Sequence, residues 1–246
     1  MSALLELTNV QKRFGSIQAL SGISFSVARG EVLALVGDNG AGKSTLMKTI
    51  SGIYSADEGT IRFDGQDITR TLPGEIRERG IEMIYQDLAL ARQQNVAANI
   101  FLGREPVRKW LGFLPMIDRR RIDEEARRMV ERLGARIPSI HVDVGYLSGG
   151  QQQSVAIARA LTFDPKLVIM DEPTAALAVR EVEHVLDLIR GLREQGISVI
   201  LISHRLTDVF AVSDRIVALR QGQVIAEEET ARTNMQEVVA HIVGAH

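Results

Sequence analysis

The chain has 246 residues, 45% of them hydrophobic and 24% charged, with a formal net charge of −2 and no cysteine. This composition supplies the core of one large domain, or of one domain with an inserted subdomain. It excludes disulfides, thiolate zinc sites and cysteine nucleophiles, and it provides no global field that would draw the chain to nucleic acid or acidic lipid.

The start of the chain lacks the charged, apolar and small-residue sections of a secretory signal. No apolar run approaches the ~20 residues that span a bilayer, so the expectation is a chain that is soluble when isolated. Leu5 and Leu7, then Ile23, Phe25 and Val27, recur at period two, the pattern of half-buried antiparallel strands. The run from Glu31 to Val36 is nearly continuous in apolar residues, as a strand buried on both faces of a parallel sheet requires. From about Leu88 to Leu161 clear strand signals stop. There, Ile122, Ala126, Met129, Val130 and Leu133 share one face of a helix predicted over Asp118 to Leu133. Trp110, Leu111, Phe113 and Leu114 form an apolar cluster that fits either a core or a docking patch. Apolar runs return at Leu167–Met170 and Ser198–Ile202, with the helical pattern Val182, Val185, Leu186, Ile189 between them. Strands alternating with helices predict an α/β core. The tail, Arg215–Arg220 and Gln223–Ala226 around Gly222, predicts a hairpin.

Gly37, Asp38, Asn39, Gly40, Ala41, Gly42, Lys43 and Ser44 match G-x-x-x-x-G-K-[ST] between a buried strand and a helix opened by Ser44 and Thr45. The glycines let backbone amides approach phosphate oxygens, and the helix N-terminus adds partial positive charge. Lys43 reaches the β and γ phosphates of a nucleotide, and the Ser44 hydroxyl is a magnesium ligand. Asp171, at the end of a buried strand, is the carboxylate that holds magnesium through its water shell, and Glu172 the group that polarises an attacking water.

Leu147, Ser148, Gly149, Gly150 and Gln151 resemble the signature motif of ATP-binding cassette (ABC) proteins. Gln86 resembles that family's Q-loop glutamine, His204 its switch histidine, and Phe14 the aromatic residue placed against adenine. The resemblance runs from about Leu5 to the tail hairpin. It implies a P-loop NTPase core of ABC type, a mixed sheet with an antiparallel β subdomain. The whole of 1–246 would be one nucleotide-binding domain, with 88–161 a helical subdomain inserted in it. It also implies ATP and Mg2+ as ligands, with Gln86 joining Ser44 and Asp171 near the metal, and Glu172, His204 and Gln86 in the catalytic roles. Two such domains close head to tail, so Ser148 and Gly149 would meet the γ-phosphate held by the other subunit, and the helix after Gly150 would point its N-terminus at it. One departure stands out: the family's usual S-A-L-D reads Ala175, Ala176, Leu177, Ala178, and Ala178 has no side-chain donor or acceptor.

The segment from Gln94 to Glu105, the Thr174–Leu177 wording and Asp118 to Arg121 resemble ATPases of bacterial monosaccharide uptake systems. That resemblance implies a subunit at the cytoplasmic face of the inner membrane. It would be held there by transmembrane permease subunits, fed by a periplasmic sugar-binding protein, and paired with a second copy or another ABC subunit. The arginines at 119–121 lack interleaved aromatics, so no nucleic-acid partner is expected. A soluble ABC ATPase outside transport, and an ATP-dependent dimerisation module with weak hydrolysis, are the alternatives. His141, His184, His241 and His246 are read as ordinary surface or helix residues.

Overall fold

Period-two alternation at the start of the chain becomes an antiparallel pair, β1 (Ala3–Phe14) and β2 (Ile17–Ala28), in the computed structural model of the protein. The structure describes residues 3–110, 113–175 and 177–244; Leu111 of the apolar cluster, Ala176, His246 and the side chain of Trp110 lie outside the described residues. Next come β3 (Val32–Val36), the phosphate loop and α1 (Lys43–Ile50), then β4 (Glu58–Phe63), β5 (Gln66–Asp67), α2 (Pro73–Glu78) and β6 (Ile81–Ile84). Helix α3 (Val96–Ile100), a hairpin of β7 (Val107–Trp110) and β8 (Leu114–Ile117), α4 (Arg119–Arg132) and α5 (Gly149–Leu161) follow. The chain continues with β9 (Leu167–Asp171), α6 (Val179–Glu194), β10 (Ser198–Ile202), α7 (Leu206–Val212), β11 (Arg215–Arg220), β12 (Gln223–Glu229) and α8 (Met235–Val243).

The central sheet has six strands in the order β12-β11-β3-β10-β9-β6, parallel except for the edge strand β12. A second, antiparallel sheet has the order β2-β1-β4-β5. Side chains alternate across each central strand. Leu33, Leu35, Ile200, Ile202, Leu167 and Ile169 face α1 and the antiparallel sheet. Val199, Leu201, Val168 and Met170 face α5 and α6 on the opposite side. With both faces covered, these strands need apolar residues at every position, which is why they read as unbroken runs. The order β3-β10-β9 brings the C-terminal ends of three strands together, and in an open α/β sheet that edge is where ligands bind.

The α4 face reads as expected, with Ile122, Ala126, Val130 and Leu133 buried. The tail hairpin turns on Gln221 (φ 49°) and Gly222 (φ 76°), two successive residues with positive φ, as a tight hairpin turn demands. Between 88 and 161, where clear strand signals stop, the structure adds the β7–β8 hairpin to the expected helices. Val107, Leu114, Met116 and Ile117 are all exposed there, so neither face of the hairpin is inside and no alternation of apolar and polar residues marks it.

Candidate active site

The phosphate loop leaves β3 and enters α1 through conformations open to glycine. Gly37 has φ 149°, and a Cβ there would stand 2.2 Å from the Leu219 carbonyl oxygen; Gly42 has φ 102°, and a Cβ there would stand 2.8 Å from the Ala19 carbonyl. Gly42 is also the N-cap of α1, with no side-chain cap and no acidic residue in the first turn, so the free amides of that turn stay available to an anion. Lys43 folds back over the loop, donating to the Gly37 carbonyl at 2.5 Å and the Asp38 carbonyl at 2.9 Å. Burial lowers its pKa, against the opposing charges of Glu172, Asp171 and Asp38.

This loop lines a cleft of about 910 Å³. Gly37, Asp38, Asn39, Gly40, Gly42, Lys43, Ser44 and Thr45 form one wall, and Gln86, Asp171, Glu172 and His204 face them. Parallel pairing sets the opposite wall: Asp171 pairs with Ile202, so the ends of β9 and β10 are level and their loops emerge side by side. Glu172 adopts left-handed φ (51°) and donates its N–H to the Ile202 carbonyl at 2.9 Å. Its Oε2 lies 2.6 Å from Nδ1 of His204. A non-glycine residue in that conformation is costly and is held where the surroundings require it. Burial raises the pKa of Asp171, Glu172 adds to the rise, and Lys43 and Lys48 oppose it. Behind the dyad, buried Asp208 accepts from the Thr174 hydroxyl at 2.6 Å, which ties the turn after Glu172 to α7.

Several predicted site residues stand elsewhere. Ala41 is buried in the core beneath the loop. Phe14 is partly exposed and meets Tyr54 edge-on at 5.1 Å, outside the residues lining the cleft. Ser148, Gly149, Gly150 and Gln151 open α5 away from the cleft; Ser148 is its N-cap, and Ser148 and Gln151 form a capping box. The cleft also gains residues the motifs do not name: Ile17, Gln18 and Ala19 of β2, and Gln221 and Gly222 of the tail turn. The Gly222 N–H donates to the Ala41 carbonyl at 3.0 Å, a contact across most of the chain that no local pattern signals.

Gln86 lines the cleft, and its neighbour Tyr85 lines a groove of about 240 Å³ together with Ile53, Arg77, Glu82, Leu102 and Arg159. Buried Glu82 is held by Arg77 at 3.2 Å and Arg104 at 3.4 Å. Arg159 of α5 donates to the Leu88 carbonyl at 2.7 Å and the Ala89 carbonyl at 2.9 Å. The segment after Gln86 is thereby fastened to the helix that Ser148 begins. Among the described residues no helix is long and apolar enough to cross a membrane.

The sequence profile of the ABC transporter family matches residues 20–175. The chain is 44% identical over 238 residues to a xylose/arabinose import ATP-binding protein of Sulfolobus acidocaldarius, covering 97% of this chain and 93% of that one. It is 44% identical over 248 residues to a fructose import ATP-binding protein of Rhizobium meliloti, at 98% and 94% coverage. A ribose import ATP-binding protein of Bacillus licheniformis is 42% identical over 98% of this chain, which spans 48% of that relative's length. Among solved structures, a nucleotide-free ATP-binding cassette from an ABC transporter superposes with TM-score 0.84 at 32% identity, covering 99% of this chain and 96% of that one. A dimeric ATP-binding cassette in a post-hydrolysis state, bound to ADP and Pi, superposes with TM-score 0.77 at 28% identity, covering 92% and 98%. The cleft thus sits at the ends of β3, β9 and β10 in a fold shared along nearly the whole chain, and the chain belongs to the ABC transporter family.

Proposed function

We propose that this chain is the ATP-hydrolysing subunit of an importer that drives a monosaccharide across the cell membrane. The observation that carries the reading is the cleft itself: a phosphate loop faces Gln86, Asp171 and the Glu172–His204 pair. The names of the xylose/arabinose, fructose and ribose relatives supply the substrate class.

In this reading the Lys43 ammonium exchanges its two loop carbonyls for β and γ phosphate oxygens, and the amides at the start of α1 take the remaining phosphate charge. Ser44, Gln86 and Asp171 offer a hydroxyl, an amide oxygen and a carboxylate at one cleft, the hard oxygen donors that magnesium takes. Among the described residues no group of three His, Cys, Asp or Glu side chains is placed to hold a metal alone, which suits an ion completed by nucleotide phosphates and water. Magnesium bound there neutralises phosphate charge. Glu172 orients the attacking water and accepts its proton, and His204 holds the carboxylate in place. Phe14 supplies an aromatic edge for adenine, near Tyr54.

Residues 88–161 act as a subdomain that carries the signature to a second cassette, where Ser148, Gly149, Gly150 and Gln151 face the γ-phosphate bound by the partner. The dimeric cassette among the solved relatives supports that pairing. A permease loop docks in the groove beside Tyr85 and Leu102, so the unit works at the cytoplasmic face of the inner membrane. A periplasmic sugar-binding protein delivers the substrate.

The test is phosphate release by the purified chain with and without Mg2+. Glu172→Gln is expected to retain ATP binding within about threefold and to lose turnover by roughly 10²–10⁴-fold, the usual contribution of a general base. Native-rate hydrolysis by that variant would remove Glu172 from the chemistry. Reconstituted with its permease, the chain should show binding-protein-stimulated turnover with particular pentoses or hexoses.

A further inference from the structure

The N-terminus of α5 already holds an anion. Glu181, in the first turn of α6, accepts the Gly150 N–H on Oε1 at 3.2 Å and the Ala178 N–H on Oε2 at 3.2 Å. The Ser148 oxygen accepts the Gln151 N–H at 3.4 Å, and the Ser148 side chain, then the Gly150 and Ala178 N–H groups, lower the Glu181 pKa. The glutamate stem packs on the signature backbone: a Cβ on Gly150 would stand 3.0 Å from Cβ of Glu181, and one on Gly149 would stand 2.9 Å from Leu177. Around this point lies an open hollow of about 460 Å³, lined also by Arg136, Arg180, Glu183 and Asp187. With Glu181 that makes three carboxylates against two guanidinium groups, and Glu183 and Asp187 are paired with Arg190, at 3.0 and 2.6 Å.

We infer that Glu181 is a built-in stand-in for the partner's γ-phosphate: its carboxylate occupies the Gly150 N–H of the signature and must yield it before the two cassettes close, which sets how much ATP closure requires. The inference rests on the proposed head-to-tail dimer. Two anions cannot both be well bound by the Gly150 N–H, and an approaching phosphate meets the carboxylate's charge at short range. Glu181 is a positioning residue, since it does not line the cleft of its own chain. Because it grips Ala178 and Gly150 together, its release also frees the start of α6 from the start of α5.

The test uses the full chain in the Glu172→Gln background, where closure is read apart from hydrolysis. Dimer formation is followed by sedimentation or light scattering across an ATP titration. Adding Glu181→Gln, which keeps an acceptor for Gly150 but removes the charge, is expected to lower the ATP concentration for half-closure roughly three- to tenfold at low salt. The gain should shrink above about 0.5 M salt, where charge is screened; a purely structural role would not respond this way. Glu181→Met, which keeps the packed stem without charge, serves as the second neutral variant and should shift in the same direction. If the parent closes with ATP and both neutral variants need as much ATP or more, the stand-in role is overturned while the dimer stands. If the parent never dimerises at any ATP concentration, the head-to-tail reading falls, and this inference falls with it.

Discussion

Helices α1 and α5 both begin at glycine-rich sequences, yet their N-termini are finished in opposite ways. The α1 end is left open: Gly42 gives no side-chain cap, the first turn holds no carboxylate, and Lys43 stands over it. The α5 end is closed: Ser148 caps it, Gln151 caps back, and Glu181 takes Gly150. Both present the partial charge that attracts phosphate. An end that binds phosphate from its own cleft gains by leaving its amides free. An end that meets phosphate only when a second molecule arrives is stable alone only if its donors are satisfied in the meantime. In the proposed function the contrast therefore separates a site complete within one chain from a site that waits for another.

The strongest challenge to this contrast is Lys43→Ala. Removing the one ammonium over the open end should weaken ATP binding to the isolated chain by roughly 2–5 kcal/mol, the range for truncating one side of a buried charge pair. Fluorescent-nucleotide titration would read it, and binding within a few-fold of the parent would mean that the open end does not hold the phosphates.

Ser148→Ala probes the closed end. It should leave ATP binding by the isolated chain unchanged. It should remove an N-cap worth about 1 kcal/mol, or about 2–4 °C in Tm for a chain of this size. In the Glu172→Gln background it should also raise the ATP needed for closure by about tenfold, the loss of one charge-assisted hydrogen bond. A loss of nucleotide binding in the isolated chain would erase the distinction between the two ends.

A third experiment concerns the cost of keeping the cleft ready. Asp171 has its pKa raised mainly by burial. A carboxylate whose folded pKa lies above its unfolded value lends stability while protonated, and that stability is lost as pH rises from the ordinary aspartate range through the raised value. Asp171→Asn should therefore melt higher than the parent at neutral pH. The difference should close on acidification below the ordinary aspartate range, while the variant loses its magnesium-dependent turnover. Melting curves across pH without nucleotide would check the sign.

What the sequence disclosed follows the same physical division. The phosphate loop was legible because strand, loop and helix are contiguous, and Asp171 with Glu172 because a buried parallel strand reads as an apolar run ending in charge. Strand β6 was harder: Glu82 interrupts its four residues, and only the distant Arg104 and neighbouring Arg77 explain why a carboxylate can be buried there. The β7–β8 hairpin has no buried face and so no alternation to read. Glu181 was invisible as a functional residue. Its spacing looks like an ordinary helix-capping glutamate, and its contact with Gly150 spans 31 residues.

The smallest effect tests what the carboxylate missing from the S-A-L-D position at Ala178 does. Ala178 is the N-cap of α6 with extended φ and ψ (−69°, 155°), and it offers no side-chain cap. Glu181 supplies only the return half of a capping box, accepting from the Ala178 N–H. Ala178→Asp would add the other half by accepting the N–H of the first turn, a gain of about 1 kcal/mol and about 2–4 °C in Tm. The completed box would also fix Glu181 more firmly on Gly150. By resemblance to the family, the new carboxylate would reach a hydrogen-bond partner across the dimer as well, so the Hill coefficient for ATP turnover should rise toward two. The two effects are separable. A higher Tm with an unchanged Hill coefficient would confine the residue at 178 to capping α6 within its own chain. A higher Hill coefficient, together with a higher ATP requirement for closure in the Glu172→Gln background, would show one residue strengthening both the link between cassettes and the closed end that each must open.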